Sequence, residues 1–316
     1  MSPPPSRIVF AGSPEFAVPA LERLVASSHQ VVAVLTQPDR PAGRGRKLQA
    51  GPVKACALAH GLPVLQPASL RRDAGAREAL RGLAPDLIVV VAYGLLLPPE
   101  VLGIPRRGCL NIHASLLPRW RGAAPIQAAV LAGDAQTGVA LMRLEEGLDT
   151  GPVAAMQALD IGPADTAGEL HDRLARLGAD LLMAELDGIL DGRARFVPQP
   201  ATGVTHAPKI TKAEAIIDWR EPAVALDRRI RAFNPWPVAE TRLEGQQLRC
   251  WLARPQAGGD RTAPPGRVLA AGADGIDVQT GDGVLRLLSV QLAGRQRVAA
   301  GVFANGFAVV GRVLGA

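Results

Sequence analysis

The chain has 316 residues, 48% of them hydrophobic, and a formal net charge of +6. That length suggests two domains, and the apolar content is ample for a real core. Its three cysteines, Cys56, Cys109 and Cys250, are far apart and lack Cys-x-x-Cys spacing, which argues against a disulfide framework or a zinc site and for reduced, cytoplasmic thiols.

The opening "MSPPPSRIVFAG" has no basic stretch followed by a long apolar run, so no signal peptide is expected. "RIVFAG" (7–12) reads as a strand. Ser13 suits the N-cap of a following helix, with Pro14 at its first position. "QVVAVLT" (30–36) completes a β-α-β unit, which predicts a parallel sheet and a right-handed crossover. "GPVKACALAHG", "LPVLQP" and "RRDAGAREALRGL" read as helix, edge strand and helix. "DLIVVVAY" is apolar on both faces, as a central parallel strand should be. The apolar run 87–98 that contains it is too short to span a bilayer, so no membrane partner is expected.

"CLNIHAS", "APIQAAVLAG" and "TGVALMRL" then read as strand, helix and strand, and 166–190 as a long amphipathic helix. Residues 1–190 are thus expected to form an α/β, doubly wound, Rossmann-like parallel-sheet domain. Residues 191–213, rich in Pro, Thr and Lys, read as a linker. Residues 214–316 open with a helix, "EPAVALDRRIRAF", and continue as short β runs split by glycine, which suggests a small five-stranded OB-like barrel. Charge separates the two parts. Residues 1–204 carry 20 Lys/Arg against 19 Asp/Glu, a net of +1, and residues 205–316 carry 15 against 10, a net of +5. A basic C-terminal part fits an approach to a polyanion.

The first βα turn, "AGSPEFA", is not G-x-G-x-x-G, and no P-loop, H-E-x-x-H or G-x-S-x-G occurs. Dinucleotide, nucleoside triphosphate and zinc-hydrolase chemistry lose their best support. Ligands of open α/β sheets bind at the carboxyl ends of strands. Three segments are expected there: "VVAYGLLLP", "NIHASLLP" and "EEGLDTGP". Asn111 and His113 are two apart, so in a strand they share a face while Ile112 points the other way. An Asn amide can donate to a developing oxyanion, a His can move a proton or donate to the same oxygen, and Asp149 can orient the imidazole. No Ser or Cys nucleophile is evident beside them, which points to direct attack by the substrate's own nucleophile. A strand-end His with a structural role remains the alternative.

"NIHASLLPRWRGAAPI" with the downstream "GLDTG" resembles the signature of 10-formyltetrahydrofolate-dependent formyltransferases. "FAGSPEFA", "TQPDRPAGRGRKL" (36–48), "VVAYGLLLP" and "FNPWPVAET" resemble the members of that family that act on methionyl-tRNA. The resemblance implies attack of a methionyl α-amine on the formyl carbon of 10-formyltetrahydrofolate, with no metal. It implies Asn111, His113 and Asp149 as the catalytic polar groups and Ser115, Leu116, Leu117 and Pro118 as the lining of the folate site. The implied partners are initiator methionyl-tRNA and the folate, met by a monomer.

The basic stretch "PDRPAGRGRKLQAGPVK" bears on the tRNA independently. Arg40, Arg44, Arg46 and Lys47, with Lys54, stand on a Pro- and Gly-rich loop where they can meet RNA phosphates. Arg44, between two glycines, is expected to be the most sensitive. Lys209 and Lys212 of the linker and Arg228, Arg229 and Arg231 of the following helix would extend that surface. A formyltransferase acting on a small amine, a non-catalytic RNA binder and a formate-releasing hydrolase stay open as alternatives.

Overall fold

The computed structural model describes residues 5–42, 47–260 and 262–315, and only the main chain of Ala42, Lys47 and Leu48. In chain order the elements run β1 (Arg7–Gly12), α1 (Val18–Val25), β2 (Gln30–Leu35), β3 (Arg40–Ala42), β4 (Lys47–Gln49), α2 (Pro52–Ala59), β5 (Val64–Leu65) and α3 (Ala74–Gly82). They continue with β6 (Leu87–Val91), α4 (Pro99–Leu102), β7 (Cys109–His113), β8 (Arg121–Gly122), α5 (Pro125–Ala132), β9 (Gln136–Arg143), β10 (Val153–Asp160), α6 (Ala167–Asp191) and β11 (His206–Ala207). Two compact units result: Met1–Pro125 with Gln136–Asp160 and His171–Ala207, and Ile126–Ala135 with Ile161–Leu170 and Pro208–Ala316.

A seven-stranded sheet of order β10-β9-β7-β6-β1-β2-β5 forms the centre of the first unit. Strands β5, β2, β1, β6 and β7 are mutually parallel, as the β-α-β reading expects. Every residue of β6, "LIVVV", is buried, which is why it lacks polar alternation. The order reverses between β1 and β6, so the switch point of the fold lies at their carboxyl ends.

Two features differ from the sequence reading. Strand β9 runs antiparallel to β7, and β10, not foreseen, runs antiparallel to β9, so the sheet is mixed at one edge. Ser13 is not a helix cap: its hydroxyl donates to the Tyr93 carbonyl (3.1 Å) and accepts from the Gln37 amide (3.2 Å), tying β1, β2 and β6 together at the switch point. The helix instead begins at Val18, after a 3₁₀ turn over Glu15–Ala17.

Helix boundaries follow local chemistry. Asp73 caps α3 by accepting from the Ala76 amide (2.9 Å), and Thr166 and Glu169 form a reciprocal box at the start of α6. Gly178 in α6 makes room for Ile112, because a Cβ there would lie 2.7 Å from Ile112 Cγ2. The apolar back of β7 is therefore locked against a helix while Asn111 and His113 face the other way.

The expected linker is divided between the units. Residues up to Ala207 stay with the first because β11 pairs in parallel with β8, and Pro208 begins the last segment of the second.

The second unit carries α7 (Ala223–Ala232), then β12 (Glu240–Leu243), β13 (Gln246–Gln256), β14 (Val268–Gly272), β15 (Gly275–Gln279), β16 (Val284–Leu292), β17 (Val298–Ala299) and α8 (Ala300–Gly306). Its strands make one antiparallel sheet, β12-β13-β16-β15-β14 with β17 beside β16. That is six strands rather than five, compatible with an OB-type barrel. Leu226, Ile230, Cys250, Leu285, Leu287 and Phe303 share its core. No helix among the described residues is long and apolar enough to cross a membrane.

Candidate active site

Asn111 and His113 lie on β7, 9% and 6% exposed, paired in register with Met142 and Ala140 of β9. The His113 Nε2 lies 3.0 Å from the Trp120 carbonyl oxygen. A carbonyl only accepts, so Nε2 carries a proton and the ring is fixed from that side. The other ring nitrogen, Nδ1, is 3.7 Å from Asp149 Oδ2. That separation exceeds a hydrogen bond, so the main-chain oxygen of Trp120, more than the carboxylate, sets the ring orientation. The same Oδ2 accepts from the Gly122 amide at 2.8 Å. No hydrogen bond to the Asn111 carboxamide occurs among the described residues, which leaves its donors for a ligand.

Asp149 reaches His113 by an unforeseen route. Because β9 is antiparallel to β7, its carboxyl end lies at the amino end of β7, with Arg143 opposite Leu110. The nine residues 144–152 between β9 and β10 fold back to bring the carboxylate to His113. Asp149 sits at φ +52° and Trp120 at φ +62°. Both are strained for side chains with a Cβ, at about 1–3 kcal/mol each, and such strain persists only where neighbours enforce it.

Those neighbours come from residues 199–207, which the sequence reading assigns to the linker. The Gln199 carboxamide uses both ends. Its Oε1 accepts from Arg121 Nε (3.0 Å) and Nη2 (2.7 Å), and its Nε2 donates to the carbonyls of Asp149 (2.8 Å) and Gly151 (2.8 Å). Thr205 Oγ1 accepts from the Trp120 amide at 2.8 Å. Gly122, at φ +120°, is fixed as glycine because a Cβ would lie 2.6 Å from the Ala207 carbonyl oxygen. A lone Gln in "FVPQP" gives no sequence signal. Only the β8–β11 pairing shows what it holds.

Cys109 shares the strand, but burial pushes its thiol up to about 12, so it is no thiolate nucleophile near neutral pH. Among the described residues no group of three His, Cys, Asp or Glu could hold a metal ion. The site gathers hydrogen-bond donors and one carboxylate at the end of β7, a set that can serve acyl-type transfer.

A formyl transferase family model matches residues 6–186, and its C-terminal domain model matches residues 209–308. The chain belongs to the formyl transferase family. A methionyl-tRNA formyltransferase of Methylococcus capsulatus is 56% identical over 309 residues, covering 98% of this chain and 99% of that one. Among solved structures, an N-formyltransferase of Helicobacter canadensis in complex with folinic acid and dTDP-3-aminofucose superposes with a TM-score of 0.67 at 16% identity, over 92% of this chain and 99% of that one. HypX of Aquifex aeolicus in complex with tetrahydrofolic acid gives 0.65 at 17% identity; the chain covers 47% of HypX, and 96% of the chain is covered. At such identities the two structures speak for the fold alone.

In this formyl transferase domain the four expected folate-lining residues divide. Ser115 is buried and its hydroxyl donates to the Arg119 carbonyl (2.6 Å), and Leu117 packs with Ala140, Met142 and Val153. Leu116, lying over Gly138, and Pro118 keep some exposure. Leu96, in the loop after β6, is 86% exposed, an apolar side chain offered beside the strand ends.

The basic stretch is a hairpin: β3 and β4 pair Arg40 with Gln49 and Ala42 with Lys47. Arg44 and Arg46 lie outside the described residues, as does the Lys47 side chain. Arg40 is exposed and donates to Gln37 Oε1 (2.8 Å). Lys54 turns inward to Asp39 (2.6 Å), where its hydrogen bond holds the carboxyl below its ordinary range. Lys209 is exposed and belongs to the second unit. The Arg119 guanidinium covers the Trp120 ring at 4.3 Å, so that indole is occupied by its own neighbour.

Proposed function

We infer that this chain transfers the formyl group of 10-formyltetrahydrofolate to the α-amine of methionyl-tRNA, giving N-formylmethionyl-tRNA for translation initiation. The observation that carries the reading is the Asn111, His113 and Asp149 cluster at the end of β7, in a chain 56% identical end to end to a methionyl-tRNA formyltransferase.

The amine nitrogen attacks the formyl carbon, forming a C–N bond and a tetrahedral oxyanion. The bond from that carbon to N10 then breaks, N10 takes the proton that the amine loses, and tetrahydrofolate departs. The Asn111 amide donates to the oxyanion. His113, with Nε2 held by Trp120, and Asp149, held by Gly122, flank the amine and relay its proton. The pterin lies along the 92–98 loop, with Leu116 and Pro118 and the main chain of 115–118 shaping its wall. The β3–β4 hairpin, with Arg40, Arg44, Arg46 and Lys47, meets the acceptor arm. Residues 214–316 and Lys209 add sequence-independent phosphate contacts. The enzyme acts in the cytoplasm as a monomer and prefers the initiator tRNA.

The test is a steady-state assay with 10-formyltetrahydrofolate and charged initiator tRNA, run beside elongator methionyl-tRNA and a dTDP-linked amino sugar. Turnover of the initiator species above both others is expected. Turnover of the amino sugar alone would move the reading to a small-amine formyltransferase.

A further inference from the structure

At the amino-terminal end of β7 a cavity of about 380 Å³ is lined by Arg106, Arg107 and Arg143. It is separate from the formyl-transfer site, since Gly108 on its wall is five residues, about 16 Å of extended strand, from His113. Two of its arginines are poorly served by the protein. The Nε atoms of Arg107 and Arg143 are both buried and have no hydrogen-bond partner. Buried donors on cations are normally paired, so two guanidiniums on one cavity wall with no carboxylate or carbonyl partner among the described residues point to an anion, which would meet their Nη ends, the Nε atoms being closed off.

The nearby carboxylates are already engaged. Asp86 takes Arg106 (3.0 Å) and the Arg7 main-chain amide (2.9 Å), and Asp191 takes Arg193 (2.9 Å). Glu145 and Glu146 are exposed and pair with neither Arg107 nor Arg143 among the described residues. Arg107 is not needed to cap α6 either. The Gly188 carbonyl accepts from Arg193 (2.8 Å) and Ala194 (2.9 Å), and the Ile189 carbonyl from Gly192 (3.1 Å).

Both guanidiniums are nevertheless held in place. Gly192, at φ +78°, leaves the space Arg107 occupies, because a Cβ there would lie 2.6 Å from Nη1. Arg143 runs along Gly108 and lays its guanidinium over the Phe196 ring at 4.2 Å. A planar fork fixed by stacking, beside a second uncompensated guanidinium, matches a doubly charged tetrahedral oxyanion better than a lone carboxylate.

We propose that this pocket binds a phosphate-class oxyanion, from a free phosphorylated metabolite or from an RNA backbone, at a place remote from the reacting groups. The probe is inorganic pyrophosphate, titrated into the full chain and followed by ³¹P NMR and calorimetry. A dissociation constant below about 1 mM is expected, weakened at least about tenfold in Arg107→Gln/Arg143→Gln. Arg106 lies at the rim with its side chain 70% exposed, so Arg106→Gln leaves the fold intact and is expected to weaken binding about two- to threefold. The source of the phosphate is read in a second arm. If it is RNA, the double variant raises the KM for tRNA at unchanged kcat and pyrophosphate competes with tRNA. If it is a free compound, KM stays and only pyrophosphate affinity falls. Unchanged pyrophosphate affinity together with unchanged KM overturns the proposal, and the rim variant decides this alone should the double variant unfold. Pyrophosphate binding is read without turnover, so its failure is distinct from failure of the formyl-transfer reading.

Discussion

Around His113, four stretches of chain close on one another through main-chain groups: the Trp120 carbonyl on Nε2, the Gly122 amide on Asp149, Thr205 on the Trp120 amide and Gln199 on the carbonyls of Asp149 and Gly151. Among the described residues at the β3–β4 hairpin the ties are between side chains, Arg40 to Gln37 and Lys54 to Asp39. On the proposed function, the difference follows from what each region would meet. Moving a formyl group needs donors fixed to within fractions of an ångström. Meeting a long polyanion asks for positive charge on an adjustable arm.

That contrast breaks most sharply at the reacting groups. His113→Ala and Asn111→Ala are each expected to lower kcat by about 10²- to 10⁴-fold while leaving the KM for tRNA within about threefold. Loss of less than about tenfold in both would remove them from the chemistry. Gln199→Ala comes next. It frees both strained loops, so kcat should fall by about 10- to 100-fold and stability by about 1–3 kcal/mol, read by single turnover and urea melts. Gln199→Glu should not rescue it, because a carboxylate offers no donors to the Asp149 and Gly151 carbonyls.

The hairpin should answer in the other parameter. Lys54→Met is expected to raise the KM for tRNA about three- to tenfold with kcat within about twofold. The Asp39 carboxyl is held below its ordinary value of 3.8, chiefly by the Lys54 hydrogen bond, so this tie is complete above that pH and lost as pH falls through the depressed value. Across the neutral range the pair should therefore leave KM flat with pH, and a KM that climbs below pH 6 in the native chain but not in Lys54→Met would contradict it. Arg40→Ala should cost only about two- to threefold in KM and reduce the salt dependence of tRNA binding by about one unit of slope. The smallest effect is on the thiols. Burial pushes Cys109 and Cys250 up to about 12, so alkylation of the native protein at pH 8 should mark Cys56 alone and leave activity unchanged.

Asn111 and His113 were legible because a strand's two-residue period is a property of the letters, and Ile112 between them found its helix at Gly178. The central parallel strand was legible for a related reason: "LIVVV" is apolar throughout, as a doubly covered strand is, and the β-α-β order before it sets its neighbours parallel. Asp149 lies beside His113 by a path the sequence does not show, since nothing in "TGVALMRL" says which way that strand runs. Ser13 was misread because a hydroxyl before a helix caps it only when no better partner is near, and here the ends of two strands competed for it. Gln199 and Thr205 were invisible because their value lies in carbonyls and amides up to about 85 residues away in sequence, which no local pattern encodes.

The return of residues 144–152 across the end of the sheet carries one further consequence. Apart from Asp149, Gly147 and Gly151 its letters can drift, since much of the turn is solvent-facing, but its count cannot. One residue more or fewer would carry the carboxylate about 3 Å along the chain and off its partner, while the strands on either side stay in register. Over evolutionary time this segment is expected to accept substitutions at its exposed positions, to keep Asp149, Gly147 and Gly151, and to refuse insertions.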